Sequence, residues 1–186
     1  MNNYNNLQQL YGLSEIQENG VNIDFCYAFV CAMASSELTL QQWMPMLFTS
    51  GEGRFSSEKV ASDFGQVILS IYQKANRCFT ENSPLSLMIG NSLSGTEEAI
   101  MHFSRGYLHA LLIIDNLQSV VFPEGSAEAN LQQTCLLLLD KLASVATQDA
   151  QKITLFEQLP SQHDIVLLLP ALLSRYGQQC LMANQQ

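Results

Sequence analysis

The spacing of apolar residues is the sequence feature that most constrains the fold of this chain. From Val60 onwards, apolar residues recur at intervals of three and four, at Phe64, Val67, Ile68, Ile71, Ala75, Cys78 and Phe79. This period places them on one face of an α-helix of about five turns. The sustained alternation of apolar and polar residues that marks a half-buried strand is absent from the sequence. The chain is therefore predicted to be all-α.

Helix-capping residues precede several further apolar segments. These signals predict helices over residues 23–34, 39–48, 97–116 and 126–146, and from residue 161 onwards. Pro170 is expected to kink the last helix or to begin a new one, because proline cannot donate the backbone hydrogen bond. The predicted fold is a single-domain irregular bundle of six to eight helices over residues 21–183. Residues 1–20 are expected to form a flexible or loosely packed N-terminal segment, and residues 81–95 a hinge or a mobile loop.

Charged residues are scarce and mostly acidic. They make up 13% of the 186 residues, against about 25% in a typical globular domain, and the formal net charge is −9. The eight lysines and arginines are spread along the chain without a dense basic run, so direct binding of nucleic acid is not expected. The longest apolar run, Ile165 to Leu173, is shorter than the roughly 20 residues of a membrane-spanning helix, so no membrane span is expected either.

The cysteines and the N-terminal residues bear on the cellular compartment. The five cysteines are odd in number, widely spaced and surrounded by apolar residues, which favours reduced, buried thiols over a disulfide framework. The N-terminal residues carry neither the cationic region nor the apolar core of a signal peptide. Both observations predict a cytoplasmic protein.

The sequence contains no set of residues that is typical of a catalytic site. Glu98 and His102 have the spacing of a two-ligand metal pair, but His109 lies two helical turns, about 10.5 Å, beyond His102. The glycine-containing stretch 90–95 lacks the lysine of a phosphate-binding loop. We therefore expect a protein that is not an enzyme and holds no cofactor or metal. A metal-dependent enzyme that uses Glu98, His102 and His109 is a remote alternative.

Two segments combine aromatic with small residues. Residues 24–34 contain Ala28 and Ala32, and residues 102–110 contain Gly106. Glycine costs a helix interior about 1 kcal/mol relative to alanine, so Gly106 is expected where another helix approaches closely. We expect its helix to pack against the helix around Ala28 and Ala32, and the alternative is a groove for a partner segment. The candidate residues for the crossing or the interaction are Trp43, Pro45, Phe103, Gly106 and Tyr107.

Together these segments resemble the YgfB/YecA-like family of bacterial proteins, over about residues 20 to 180. The stretch Trp43-Met44-Pro45 matches a Trp-x-Pro stretch of the family, and residues 103–107, Phe-Ser-Arg-Gly-Tyr, are similar to its Trp-x-x-Gly-Phe motif. The resemblance implies a helical, cytoplasmic protein without enzymatic activity. Some members carry a Cys-rich zinc motif, which residues 178–182 do not match, so the resemblance implies no zinc.

These observations predict a non-enzymatic cytosolic interaction or regulatory protein that self-associates as a homodimer and binds a further protein partner. A chain rich in apolar residues and poor in charge leaves a weakly solvated surface, which favours burial against a second copy. The alternative is a chaperone-like holdase for a protein client, because Met33, Met44 and Met46 suit an adaptable apolar groove.

Overall fold

Helices are the main elements of the described part of the chain, so the all-α prediction is confirmed. The computed structural model describes residues 3–87, 96–118, 121–144 and 147–184. Within these ranges no β-strand occurs, and an isolated antiparallel bridge joins Gly20 to Phe48. The elements are α1 (Asn3–Tyr11), α2 (Ser14–Asn19), α3 (Ile23–Met33), α4 (Leu40–Trp43), the 3₁₀ turn η1 (Met44–Leu47), α5 (Glu58–Thr80), α6 (Glu97–Gln118), α7 (Ala127–Ala143), α8 (Ala150–Glu157) and α9 (Gln162–Ala183).

The nine α-helices of the described ranges exceed the six to eight that the sequence predicts. The helices that the apolar spacing does not reveal are α1, α2 and α8. Each has nine residues or fewer, which is too short to show a repeated apolar stripe. Their helical state depends on packing against the longer helices rather than on local pattern.

α3 is the central helix of the bundle. Asn22 begins it, because its side-chain oxygen accepts hydrogen bonds from the N–H groups of Asp24 and Phe25. Every residue from Cys26 to Met33 is buried, as expected for a helix that is apolar around its circumference. The most extensive contact of α3 is with α6, and α5 and α1 also contact α3. α7 packs on α6, and α9 contacts both α7 and α5.

α5 carries the predicted apolar stripe. It begins after Ser57, whose hydroxyl accepts a hydrogen bond from the N–H of Val60. The helix ends at Thr80, two residues before Asn82, which has a positive φ of 49°. The residues of the stripe that are buried in the core are Phe64, Ile68, Ile71, Ala75 and Phe79.

Gly106 lies where α6 crosses α3. A Cβ atom at Gly106 would overlap the carbonyl oxygen of Phe25 and would lie 2.8 Å from the Cα of that residue. The point of closest approach is therefore the backbone of Phe25, about one turn before Ala28. Ala28 and Ala32 are fully buried in the same helix. Glycine is required at this position because backbone, which cannot move aside like a flexible side chain, fills the space of the Cβ.

The N-terminal segment differs from the flexible or loosely packed segment expected over residues 1–20. α1 packs on α5, and Tyr4, Leu7 and Ile16 of α1 and α2 are at most 2% exposed. The hydroxyl of Tyr4 donates a hydrogen bond to the carboxylate of Asp24, 2.5 Å away. Among the many asparagines and glutamines of residues 3–20 are a few apolar residues that the core buries.

Only part of the expected mobile loop, residues 81–95, falls in the described ranges, since residues 88–95 lie outside them. Its first part is fixed to the bundle by backbone contacts. Ser174 donates a hydrogen bond to the carbonyl of Ser83 at 2.6 Å, and Tyr27 donates one to the carbonyl of Ser86 at 2.8 Å. Leu85 is buried. The segment up to Leu87 is therefore part of the core packing.

α9 continues through Pro170, so a new helix does not begin there. The carbonyl of Pro170 accepts a hydrogen bond from the N–H of Leu85, and the ring of Phe79 lies against Gly177. By length and composition α9 is apolar enough to cross a membrane, but 44% of its most apolar window is buried in the bundle. A core helix of a globular protein has the same properties, so this is weak evidence for a span.

The crossing predicts opposite effects for two helical glycines. Gly106→Leu should lower the free energy of unfolding by about 1–3 kcal/mol, because the new side chain meets the backbone of Phe25. Gly65→Leu on α5 is the matched control, since a Cβ there has nothing within 4 Å. It should raise stability by roughly 1 kcal/mol through helix propensity. The urea concentration at the midpoint of unfolding measures both effects, provided that the dependence of the unfolding free energy on urea is unchanged. A higher midpoint for Gly106→Leu would contradict the crossing.

Candidate functional site

The candidate interaction residues lie mainly in the core. Trp43, Phe103 and Tyr107 are fully buried, and Gly106 is at the helix crossing. The ring of Trp43 stacks on Tyr72 with 6.0 Å between ring centroids. Pro45 is exposed, at the start of η1. Four of the five candidates thus hold helices together, and among these five Pro45 alone is available to a partner.

Tyr107 is a meeting point of four helices. It lies near Cys31 of α3, Cys135 of α7 and Cys180 of α9. Burial raises the pKa of Cys135 to about 12 and that of Cys180 to about 11. Burial also raises the pKa of Cys26 to about 12. Thiols with raised pKa values are protonated at neutral pH, so they are inert packing groups rather than activated nucleophiles.

The three residues of the metal hypothesis do not come together. The Nε2 atom of His102 lies 3.7 Å from Oε1 of Glu98, one turn away on α6. His109 instead lies beside two aromatic rings of α3, with 5.8 Å to the centroid of Phe25 and 6.0 Å to that of Phe29. In the described ranges no three histidines, cysteines or carboxylates are grouped as metal ligands. The pair of Glu98 and His102 has the geometry of a helical side-chain contact.

A cleft of about 280 Å³ lies between α6, α7 and α9 and is a candidate binding site. Leu112 of α6 and Leu136 of α7 are 58% and 36% exposed at the cleft. The amide of Gln132 donates a hydrogen bond to the hydroxyl of Tyr176 at 3.2 Å. The remaining lining residues are Leu108, Leu111, Ile114, Asp115 and Cys180.

The chemistry of this cleft, hereafter the leucine cleft, suits binding. Its walls are mostly aliphatic, and its polar groups are a carboxylate, an amide, a hydroxyl and the Cys180 thiol, whose pKa is raised. An apolar side chain or a small amphipathic molecule matches such a surface. Sequence reasoning did not single out these residues. The leucines at 108, 111 and 112 have helical spacing, but the pattern does not show that this side of α6 is left uncovered.

A second cavity, of about 340 Å³, lies where α8 joins α7. Lys141 lines this cavity, and its ammonium group already has partners. The Nζ atom donates hydrogen bonds to the carbonyl oxygens of Phe156 at 2.7 Å and Pro160 at 2.8 Å. Lys152 forms an ion pair with Asp140 at 2.8 Å. The contacts of Lys141 fix the C-terminal end of α8, and the pair of Lys152 and Asp140 joins α8 to α7.

Comparison with protein-family models, with curated proteins and with solved structures finds no match for this chain. The resemblance to the YgfB/YecA-like family therefore stays a prediction from the residues at 43–45 and 103–107.

The raised pKa values predict how the thiols behave with pH. Near pH 8, a disulfide reagent such as dithionitrobenzoate should react slowly with the four buried cysteines of the native protein and rapidly with all five in urea. Because the pKa values of Cys26, Cys135 and Cys180 are raised from 9.0 to between about 11 and 12, their contribution to stability is complete below pH 9.0 and is lost as pH rises towards 12.

The half-buried Cys78 is the internal control for this measurement. Rapid reaction of more than one thiol in the native protein would contradict the buried arrangement. A urea midpoint that is unchanged between pH 9 and 11 would contradict the raised pKa values.

The leucine cleft predicts where an apolar probe binds. Leu136→Lys should weaken the binding of a neutral apolar dye such as Nile red by about tenfold, because a charge replaces a wall of the cleft. Leu69→Lys on α5 is the matched control, since Leu69 is 38% exposed and Leu136 36%. Fluorescence titration measures both, and equal losses for the two variants would show that the dye binds elsewhere.

Proposed function

We propose that this chain is a non-enzymatic interaction protein that associates with itself and holds an apolar segment of a protein partner in the leucine cleft. The observation that carries the proposal is the distribution of apolar side chains. Large leucines are exposed at the cleft and on α9, on a surface that has few charges to solvate it. Contiguous exposed apolar groups on a stable domain are typical of interaction sites.

The geometry of the leucine cleft supports a helical partner segment. Three helices line it, and α6 contributes residues at positions 108, 111, 112 and 115 along one side. A groove between helices accepts the apolar face of an amphipathic helix, which presents side chains at intervals of three and four. Exposed Leu112 and Leu136 are placed to contact such side chains.

A reducing cytosol is the compartment we propose. All five cysteines are free thiols, and four of them are buried in the core. Free thiols persist in a reducing compartment, and burial with raised pKa values protects them further. This supports the proposal that the protein acts in the cytoplasm.

We also propose that the chain is a distant relative of the YgfB/YecA-like family. The support is the all-α fold together with the positions of the two motifs. Trp43 and Pro45 form the turn from α4 into η1, and Gly106 occupies the crossing of α6 and α3. Both motifs therefore lie where the bundle turns or packs.

The holdase alternative has less support. Met33 is fully buried in α3, so it is not part of a surface groove. Met44 is half-buried and Met46 is 36% exposed. Of these three methionines, at most Met44 and Met46 are thus available to an adaptable surface.

Self-association is the part of the proposal that is tested directly. In sedimentation at micromolar concentration, the full chain should give a species of twice the 20.7 kDa of one copy, because burial of the exposed leucines favours the dimer. The proportion of dimer should rise with protein concentration. A single 20.7 kDa species at every concentration would remove self-association from the proposed function.

A further inference from the structure

The outward face of α9 combines apolar residues with two opposite charges. Leu167, Leu168 and Met182 on this face are 66%, 49% and 59% exposed. The charged residues are Asp164 near the start of the helix and Arg175 in its second half, and both are exposed. The opposite face of the helix is buried in the bundle and carries Ile165, Leu169, Leu173, Tyr176 and Cys180.

Four residues of this outward face follow the spacing of a helix-pairing seam. Asp164, Leu168, Ala171 and Arg175 are separated by four, three and four residues, and all four are exposed. Residues at alternating intervals of three and four form the contact line between two paired helices. Pro170 is not on this line, and its carbonyl is already bonded to Leu85.

The order of these residues makes the seam complementary to itself in one orientation. If two copies of α9 pair antiparallel about an axis between Leu169 and Pro170, Leu168 faces Ala171 of the second copy. Asp164 then faces Arg175 of the second copy, and each contact occurs twice because the interface is two-fold symmetric. A large side chain thus meets a small one, and each carboxylate meets a guanidinium.

The parallel orientation is disfavoured by the same charges. It would bring Asp164 against Asp164 and Arg175 against Arg175, which places like charges together. The sequence of the seam therefore selects one direction of pairing, in the way that charged positions select partners in coiled coils.

Contacts within the described residues give the carboxylate of Asp164 a partner but give the guanidinium of Arg175 none. Asp164 accepts a hydrogen bond from the hydroxyl of Ser161 at 2.6 Å, and a carboxylate at this position also stabilises the start of the helix. Arg175 has neither an ion pair nor a hydrogen bond with any residue in the described ranges. An exposed guanidinium on the same face of the helix as Leu168 is placed for a carboxylate of another molecule.

We infer that the occupant of this face is α9 of a second copy, which packs antiparallel with Leu168 against Ala171 and Asp164 against Arg175. The inference rests on the self-association in the proposed function and names its surface. It leaves the leucine cleft to a different partner, because the cleft is lined by Tyr176 and Cys180 on another side of the same helix.

Cysteine cross-linking tests the pairing and its direction. Asp164→Cys and Arg175→Cys are prepared separately and then mixed under mild oxidation. In one copy the two positions are about 16 Å apart along the helix, and a disulfide needs Cα atoms within about 7 Å. The mixed dimer should therefore cross-link, with a yield on the order of tenfold above that of either variant alone. It also keeps one native Asp164–Arg175 pair, which favours its formation.

Two controls accompany the mixture. Ser70→Cys places an exposed thiol on α5, away from the seam, and should not cross-link. The wild-type chain reports any reaction of its own thiols. Helix content by circular dichroism and the urea midpoint of each variant show that the fold is retained.

Each outcome separates this inference from the proposed function. Cross-linking in the mixture alone supports the antiparallel pairing. Cross-linking of each variant with itself indicates a parallel pair and overturns the inference. A wild-type dimer whose variants do not cross-link overturns the inference and leaves self-association intact. A wild-type monomer overturns the inference and removes self-association from the proposed function, and a monomer that binds vesicles of phosphatidylcholine would assign the face of Leu167 and Leu168 to a membrane surface.

Discussion

The close approach of α6 to α3 is the contact on which the bundle depends. The backbone of Phe25 fills the space that a side chain at Gly106 would occupy, so the two helices meet backbone to backbone at that point. This approach places Phe103 and Tyr107 deep in the core, where Tyr107 lies near thiols of α3, α7 and α9. Four helices therefore share one packing centre, and a shift of α6 would disturb all of them.

Four of the five thiols lie inside, and several large aliphatic side chains lie on the surface. Four thiols and the largest aromatic side chains fill the core, where burial raises the pKa values of the thiols. Leu112, Leu136 and Leu168 are exposed. α9 shows the division most clearly, because one face completes the core, another lines the leucine cleft and the outward face carries leucines beside a charge of each sign. This distribution fits a protein that works by contact with other chains.

Capping signals and long apolar stripes are the features from which the longer helices could be predicted. In the structure Asn22, Ser57, Ser126 and Ser161 each cap the helix that follows them, and the stripe of α5 is buried. Short elements were missed, because α8 has only eight residues and α1 lies in an Asn- and Gln-rich stretch. Their apolar residues are too few to form a repeat, and long-range contacts such as Tyr4 with Asp24 hold them in place.

The sequence by itself determined the helical fold class and the position of most helices, because spacing and capping act between residues three or four apart. Tertiary structure decided which apolar residues became core and which became surface. The run from Leu136 to Leu139 is uniformly apolar in sequence. In the structure, however, Leu139 is fully buried, whereas Leu136 lines the leucine cleft. The same holds for α9, where Leu169 is buried and Leu168 is exposed. The reason is that burial depends on which distant helix covers each side, and that information is not contained in the local pattern.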